Sequence, residues 1–146
     1  MKKVVSIALA LLMVAVMLPV MAMAEGTTLQ SRIDAGETTI TLTENVTESI
    51  TIPKDKTVTL NLNGNTLTNE ANKDTITVAL GGTLTIEGAG TVDNISHGRA
   101  AVYNNGTVTI NGGTYTRSEE KGTGNPNSDN GNSWYTICNH GVMTVN

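Results

Sequence analysis

Side chains able to do chemistry are few and spread along the chain. Glu119, Glu120 and Asp129 share a Gly/Asn-rich stretch with several side-chain amides. Hard oxygens of that kind are the ligands calcium takes. They lack the spacing of an EF-hand loop or of a nonapeptide calcium repeat, so a solvated loop is the simpler reading. Calcium is conceivable there, but no cofactor is expected. Trp134 follows, beside Tyr135. An exposed indole offers a sugar a flat apolar face. Trp134, Glu119, Glu120 and Asp129 therefore form the candidate ligand-binding set, against the plainer alternative of an indole packed beneath a loop. His97 and His140 each precede a glycine, as turn residues do. Two histidines without a third ligand make no zinc site, and no metal site is expected. Asp93 and Arg99 are one acid and one base with no second carboxylate near them in the repeat described next. No catalytic residue is assigned.

A repeat must position these residues. Gly82-Thr-Leu-Thr-Ile-Glu-Gly-Ala-Gly-Thr-Val92 returns as Gly106-Thr-Val-Thr-Ile-Asn-Gly-Gly-Thr-Tyr115. Thr57–Leu67 is a blurred earlier copy and Gly141–Val145 the start of a fourth. The copies begin at Thr57, Thr83, Thr107 and Val142, at spacings of 26, 24 and 35 residues. A period in the twenties holding three short strands is the mark of a β-solenoid. Thr alternates with Ile, Val or Leu throughout, the half-buried strand pattern.

Stacking the copies predicts three ladders. Inward on the first sheet lie Val58, Leu84, Val108 and Met143, with Leu60, Ile86, Ile110 and Val145. The second sheet carries Leu67, Val92 and Tyr115. The third carries Ile50, Ile76, Ala100 and Tyr135, with Ile52, Val78, Val102 and Ile137. Thr59, Thr85, Thr109 and Thr144 point outward. Trp134 then points out and Tyr135 in. Asn61 with Asn111, and Asn104 with Asn139, recur near turns, where stacked amides can bond along the ladder. The long spacing comes from a polar insertion, 117–133.

The fold expected is all-β: a right-handed parallel β-helix over 38–146. A short amphipathic helix within 25–37 caps it, with Leu29 and Ile33 on one face and Gly36 ending the helix. Three turns are near complete. The chain stops after the first strand of a new turn, so it is read as a fragment with further domains beyond Asn146.

Composition sets the address. Met1-Lys-Lys3, an apolar run to Leu18, Pro19 and Ala22-Met-Ala24 form a secretory signal peptide, 1–24, with cleavage expected before Glu25. The formal charge is −4 and falls to −6 without Lys2 and Lys3. With no basic cluster, nucleic acid is not an expected partner. No membrane partner is expected once the signal is removed. Cys138 is the single cysteine, so no internal disulfide forms, and a secreted chain of this kind must be held by repetitive packing.

The pattern, best in Ser49-Ile-Thr-Ile-Pro-Lys-Asp-Lys-Thr-Val-Thr-Leu-Asn-Leu-Asn-Gly-Asn-Thr-Leu67, resembles the pectin lyase-like superfamily of parallel β-helices. More narrowly it resembles adhesin-like, repeat-rich secreted and surface proteins of Gram-positive bacteria. The superfamily holds lyases, hydrolases and non-catalytic binders, so the resemblance implies fold more than activity. Its lyases need acids clustered on one sheet around calcium. Its hydrolases need paired aspartates on adjacent turns. Neither arrangement is present in these turns. The expected function is a non-catalytic secreted or cell-surface module that binds glycans or surface proteins. The alternative is the N-terminal part of a polysaccharide lyase or glycoside hydrolase whose active site lies beyond residue 146.

Overall fold

The computed structural model describes residues 27–96, 98–118 and 135–146. Helix α1 (Leu29–Asp34) precedes strands that come in triplets. The first coil holds β1 (Thr39–Thr41), β2 (Val46–Thr47) and β3 (Ile50–Ile52). The second holds β4 (Thr57–Asn61), β5 (Thr66–Thr68) and β6 (Ile76–Val78). The third holds β7 (Thr83–Glu87), β8 (Thr91–Asp93) and β9 (Val102–Asn104). The fourth holds β10 (Thr107–Ile110), β11 (Thr114–Thr116) and β12 (Ile137–Asn139), and β13 (Val142–Val145) opens a fifth. Like members of successive triplets pair in parallel. Sheet A runs β1-β4-β7-β10-β13, sheet B β2-β5-β8-β11 and sheet C β3-β6-β9-β12. The chain is a right-handed parallel β-helix. Among the described residues no helix is long and apolar enough to cross a membrane.

Alternation decides which side of each strand is buried. In sheet A, Val58, Leu84 and Val108 form one inward column, and Ile40, Leu60, Ile86 and Ile110 another, all at most 4 % exposed. Thr39, Thr59, Thr85, Thr109 and Thr144 form the outward column between them. A slip by one residue would exchange the faces and bury the hydroxyls, at roughly 1–3 kcal/mol each without partners. Sheet B stacks Val46, Leu67, Val92 and Tyr115. The ladders of sheets A and B are the ones predicted. Val145 keeps its register opposite Ile110 but is 67 % exposed in the edge strand.

Sheet C differs from the prediction. The departure lies at the β6–β9 step, where Ile76 pairs with Val102 rather than Ala100, and Val78 with Asn104. Ile50 with Ile76, Ile52 with Val78, Val102 with Ile137 and Asn104 with Asn139 stand as predicted. Ala100 is buried ahead of the strand, and Tyr135, expected inward, is 69 % exposed. The shift is two residues, which keeps every side chain on its face, so apolar alternation could not detect it. It brings Asn104 into the inner column, fully buried. Its Oδ1 accepts the Gly106 N–H (2.8 Å), and its Nδ2 donates to Asn139 Oδ1 (2.7 Å) and the Val142 carbonyl (3.0 Å). A buried amide with partners for donor and acceptor is tolerated where an unpaired one would not be.

The coil count differs too. Thr39–Thr41, inside the expected 38–146 β-helix, is not among the stacked ladders predicted. It pairs with Thr59–Asn61 and opens a coil ahead of those expected. Helix α1 seats Leu29 and Ile33 in the same core. Thr28 caps it, its hydroxyl accepting the Ser31 N–H (3.1 Å), and Gly36 (φ 91°) ends it. Glu48, on the first coil, accepts the Leu29 and Gln30 N–H groups (both 2.8 Å). The Gln30 side-chain amide then bonds Thr51 through both its atoms, accepting from N–H (2.7 Å) and donating to the carbonyl (3.1 Å). One side chain thus takes the place of a strand neighbour along the open edge of β3.

Candidate functional site

Three corners join the sheets, and they behave differently from coil to coil. The A-to-B corner takes four, four, three and three residues in the successive coils. The C-to-A corner takes four, four, two and two. The B-to-C corner takes two (48–49), then seven (69–75), eight (94–101) and twenty (117–136). Two corners stay tight while the third grows.

Backbone contact explains the tight ones. At the C-to-A corner a Cβ added to Gly106 would meet the carbonyl oxygens of Gly82 and Ala79, and one added to Gly141 would meet the Gly106 carbonyl. Coils there touch backbone to backbone, and only glycine fits.

The B-to-C corner is held by side chains. Asn94, fully buried, donates to the carbonyls of Lys73 (3.0 Å) and Ala100 (2.9 Å) and to Thr75 Oγ1 (3.1 Å). Its Oδ1 accepts the Ser96 N–H (2.9 Å). Asn69, also fully buried, donates to the Glu70 and Lys73 carbonyls and to Ser96 Oγ, and accepts the Ile95 N–H (2.8 Å). The Ile95 and Ser96 N–H groups, which have no backbone partner among the described residues, thereby find one, as a buried loop requires, while the Ala100 carbonyl also accepts the Thr75 N–H (3.0 Å).

This framework shapes a groove of about 400 Å³ on the outer side of sheet C. Ser49, Thr51 and Thr77 line its floor, and Lys73, Asp74 and Arg99 its walls. Asp74 Oδ1 accepts the Ala100 N–H (2.7 Å), which fixes the carboxylate across two coils. Its other oxygen takes no hydrogen bond among the described residues. Lys73 is ion-paired with Glu70. Arg99 is exposed and makes no ion pair among the described residues. Tyr103 follows Thr51 and Thr77 in the same outward column. Its ring lies 5.5 Å from that of His140, whose Nε2 is 3.3 Å from Cys138 Sγ.

Asp93 guards the root of the insertion. It stands between Thr68 and Thr116 in the ladder, with no acidic neighbour there. Its carboxylate accepts the Thr116 hydroxyl (2.6 Å), the Ser118 N–H (2.9 Å) and the Ser118 hydroxyl. Burial by itself would raise the Asp93 pKa. The Ser118, Thr116 and backbone hydrogen bonds outweigh it and hold the carboxyl below its ordinary value.

Of the residues picked from the sequence, Glu119, Glu120, Asp129 and Trp134 lie outside the described residues, as does His97. The residues on either side of that segment, Ser118 and Tyr135, belong to the B-to-C corner of the fourth coil. Arg99, read as an isolated base, falls on this corner, and Asp93, read as an isolated acid, is the last residue of the strand that leads into it. Lys73 and Asp74 were missed. Their signal was the longer gap between the second and third strands of that coil. Among the described residues no three His, Cys, Asp or Glu side chains gather as a metal site. Comparison with known proteins finds no matching family model, no similar curated protein and no similar solved structure.

Proposed function

We propose that the chain is a non-catalytic, adhesin-like β-helix module that binds glycans or surface proteins through its B-to-C corner. Its class would be that of secreted or cell-surface proteins related to the pectin lyase-like β-helices. The observation that carries the reading is the growth of this one corner from two to twenty residues while the others stay tight. In repeat proteins, insertions confined to one side commonly make the binding face. Support comes also from the groove beside it, whose wall carries an exposed arginine and a fixed carboxylate, and from the signal-peptide pattern of 1–24.

The test uses the whole chain on arrayed glycans and immobilised bacterial and mammalian surface proteins. Two variants accompany it: one with 119–134 replaced by a short Gly/Asn turn, and Arg99→Ala. Binding by the parent chain that falls at least tenfold in one of them is expected. Binding unchanged in both, with thermal melts also unchanged, would refute the corner as the binding side.

A further inference from the structure

Resting on the reading of this corner as the binding side, we infer that the groove between Asp74 and Arg99 is a subsite for an uncharged sugar, gripped through neighbouring hydroxyls. The chemistry of the two walls points there. Asp74 has one oxygen committed to the Ala100 amide, so the plane of its carboxylate is set before any ligand arrives. The second oxygen remains as an acceptor. Arg99, one coil on, supplies a rigid fork of donors unengaged by any ion pair among the described residues. A fixed acceptor beside a donor fork suits adjacent hydroxyl groups, each of which donates and accepts. The Thr51 and Thr77 hydroxyls on the floor can turn to either role. Tyr103 is the next residue of that outward column, one strand spacing (about 4.8 Å) beyond Thr77. Its partly exposed ring offers an apolar surface for the C–H face of a second sugar unit.

Charge selects against acidic sugars. Within the groove Asp74 offsets Arg99, and Glu70 offsets Lys73 through their ion pair. No net positive charge is left to hold a uronate or a sulfate. The chain as a whole is negative, with a formal charge of −4, and its field repels anions. A carboxylate-bearing sugar would also bring its charge toward Asp74.

The experiment is isothermal titration of the whole chain with neutral polysaccharides (glucan, mannan, xylan, galactan) and with polygalacturonate, at low and high salt. Asp74→Asn and Arg99→Lys are titrated alongside. Asp74→Asn keeps an oxygen for the Ala100 amide but replaces the free acceptor by a donor. Arg99→Lys keeps the charge but loses the fork. The expected result is binding of at least one neutral polymer with little salt dependence, weakened about tenfold or more by each substitution while the thermal melt holds. Neutral binding indifferent to both substitutions, or binding confined to polygalacturonate and abolished by salt, would overturn the subsite and leave the corner as a binding side intact. An absence of glycan binding would overturn the subsite as well. If protein ligands were still captured through the corner, the broader reading would survive. If they were not, it would fall too.

Discussion

Sheet A and the B-to-C corner are built from the same repeat by opposite means. In sheet A each coil copies the last: apolar columns inside, threonines outside, glycine contacts closing the turn. At the corner no two crossings have the same length, and side chains of Asn69, Asn94, Thr75 and Asp74 satisfy backbone groups alongside the few bonds that still run coil to coil, such as Thr75 N–H to the Ala100 carbonyl. The difference teaches where such a fold can change. A ladder demands that length and register be kept in every coil, because one misplaced residue exchanges the faces. A corner fastened by side-chain amides requires only that each buried carbonyl and N–H find a partner, so chain can be added there without disturbing the stack.

The largest test of the comparison lies in the ladder. Ile86 is fully buried between Leu60 and Ile110. Ile86→Ala should cost about 2–5 kcal/mol in urea unfolding, while Thr85→Ala, on the outer side of the same strand, should stay within about 0.5 kcal/mol. Equal costs would mean that the columns do not carry the fold. Next comes the corner. Asn94→Ala leaves the Ser96 N–H without its partner and takes one of two donors from the carbonyls of Lys73 and Ala100, which keep Asn69 Nδ2 and the Thr75 N–H, and should cost about 1–3 kcal/mol. A cost near zero would make the corner slack rather than built. At the tight corner, Gly106→Ala should cost about 1–3 kcal/mol through backbone overlap. An unchanged urea midpoint would show that this corner can expand as freely as its neighbour.

The smallest effect is a dependence on pH. Asp93 is held below its ordinary pKa in the folded chain, so the folded state binds the proton less readily than the unfolded one. Its stabilisation is fully present above the unfolded carboxylate value, about 4, and is lost as pH falls through the folded value. Melts recorded across the acid range should lose stability more steeply for the parent than for Asp93→Asn. Parallel curves would separate Asp93 from the root of the insertion.

Much of this was legible beforehand, for identifiable reasons. Thr-Val-Thr-Leu and Gly-Thr-Leu-Thr-Ile declare period, face and stacking partner at once, which is why the columns of sheets A and B came out correctly. In sheet C only the β6–β9 step came out two residues off, because that slip conserves faces and because a buried Asn104 contradicts the rule that polar residues point out. Of the first coil only Ile50–Ile52 enters the predicted ladders; Thr39–Thr41 and Val46–Thr47 do not, because they are short and the B-to-C corner after them has only two residues. Asp74 and Lys73 looked like ordinary turn residues. Their place on a groove wall depends on Arg99 from the following coil, a juxtaposition that spacing alone does not reveal.

The central claim is that the variable corner is a pre-built wall, as rigid as the ladder it interrupts. Native-state hydrogen exchange tests it most directly, through the amides of Ile95, Ser96 and Ala100, which bond to Asn69, Asn94 and Asp74, against those of Leu84 and Ile86 in sheet A. The account predicts protection at the three corner amides within about tenfold of the ladder amides, lost at Ser96 in Asn94→Ala. Exchange at the corner amides as fast as in an unstructured peptide, beside a protected sheet A, would contradict it.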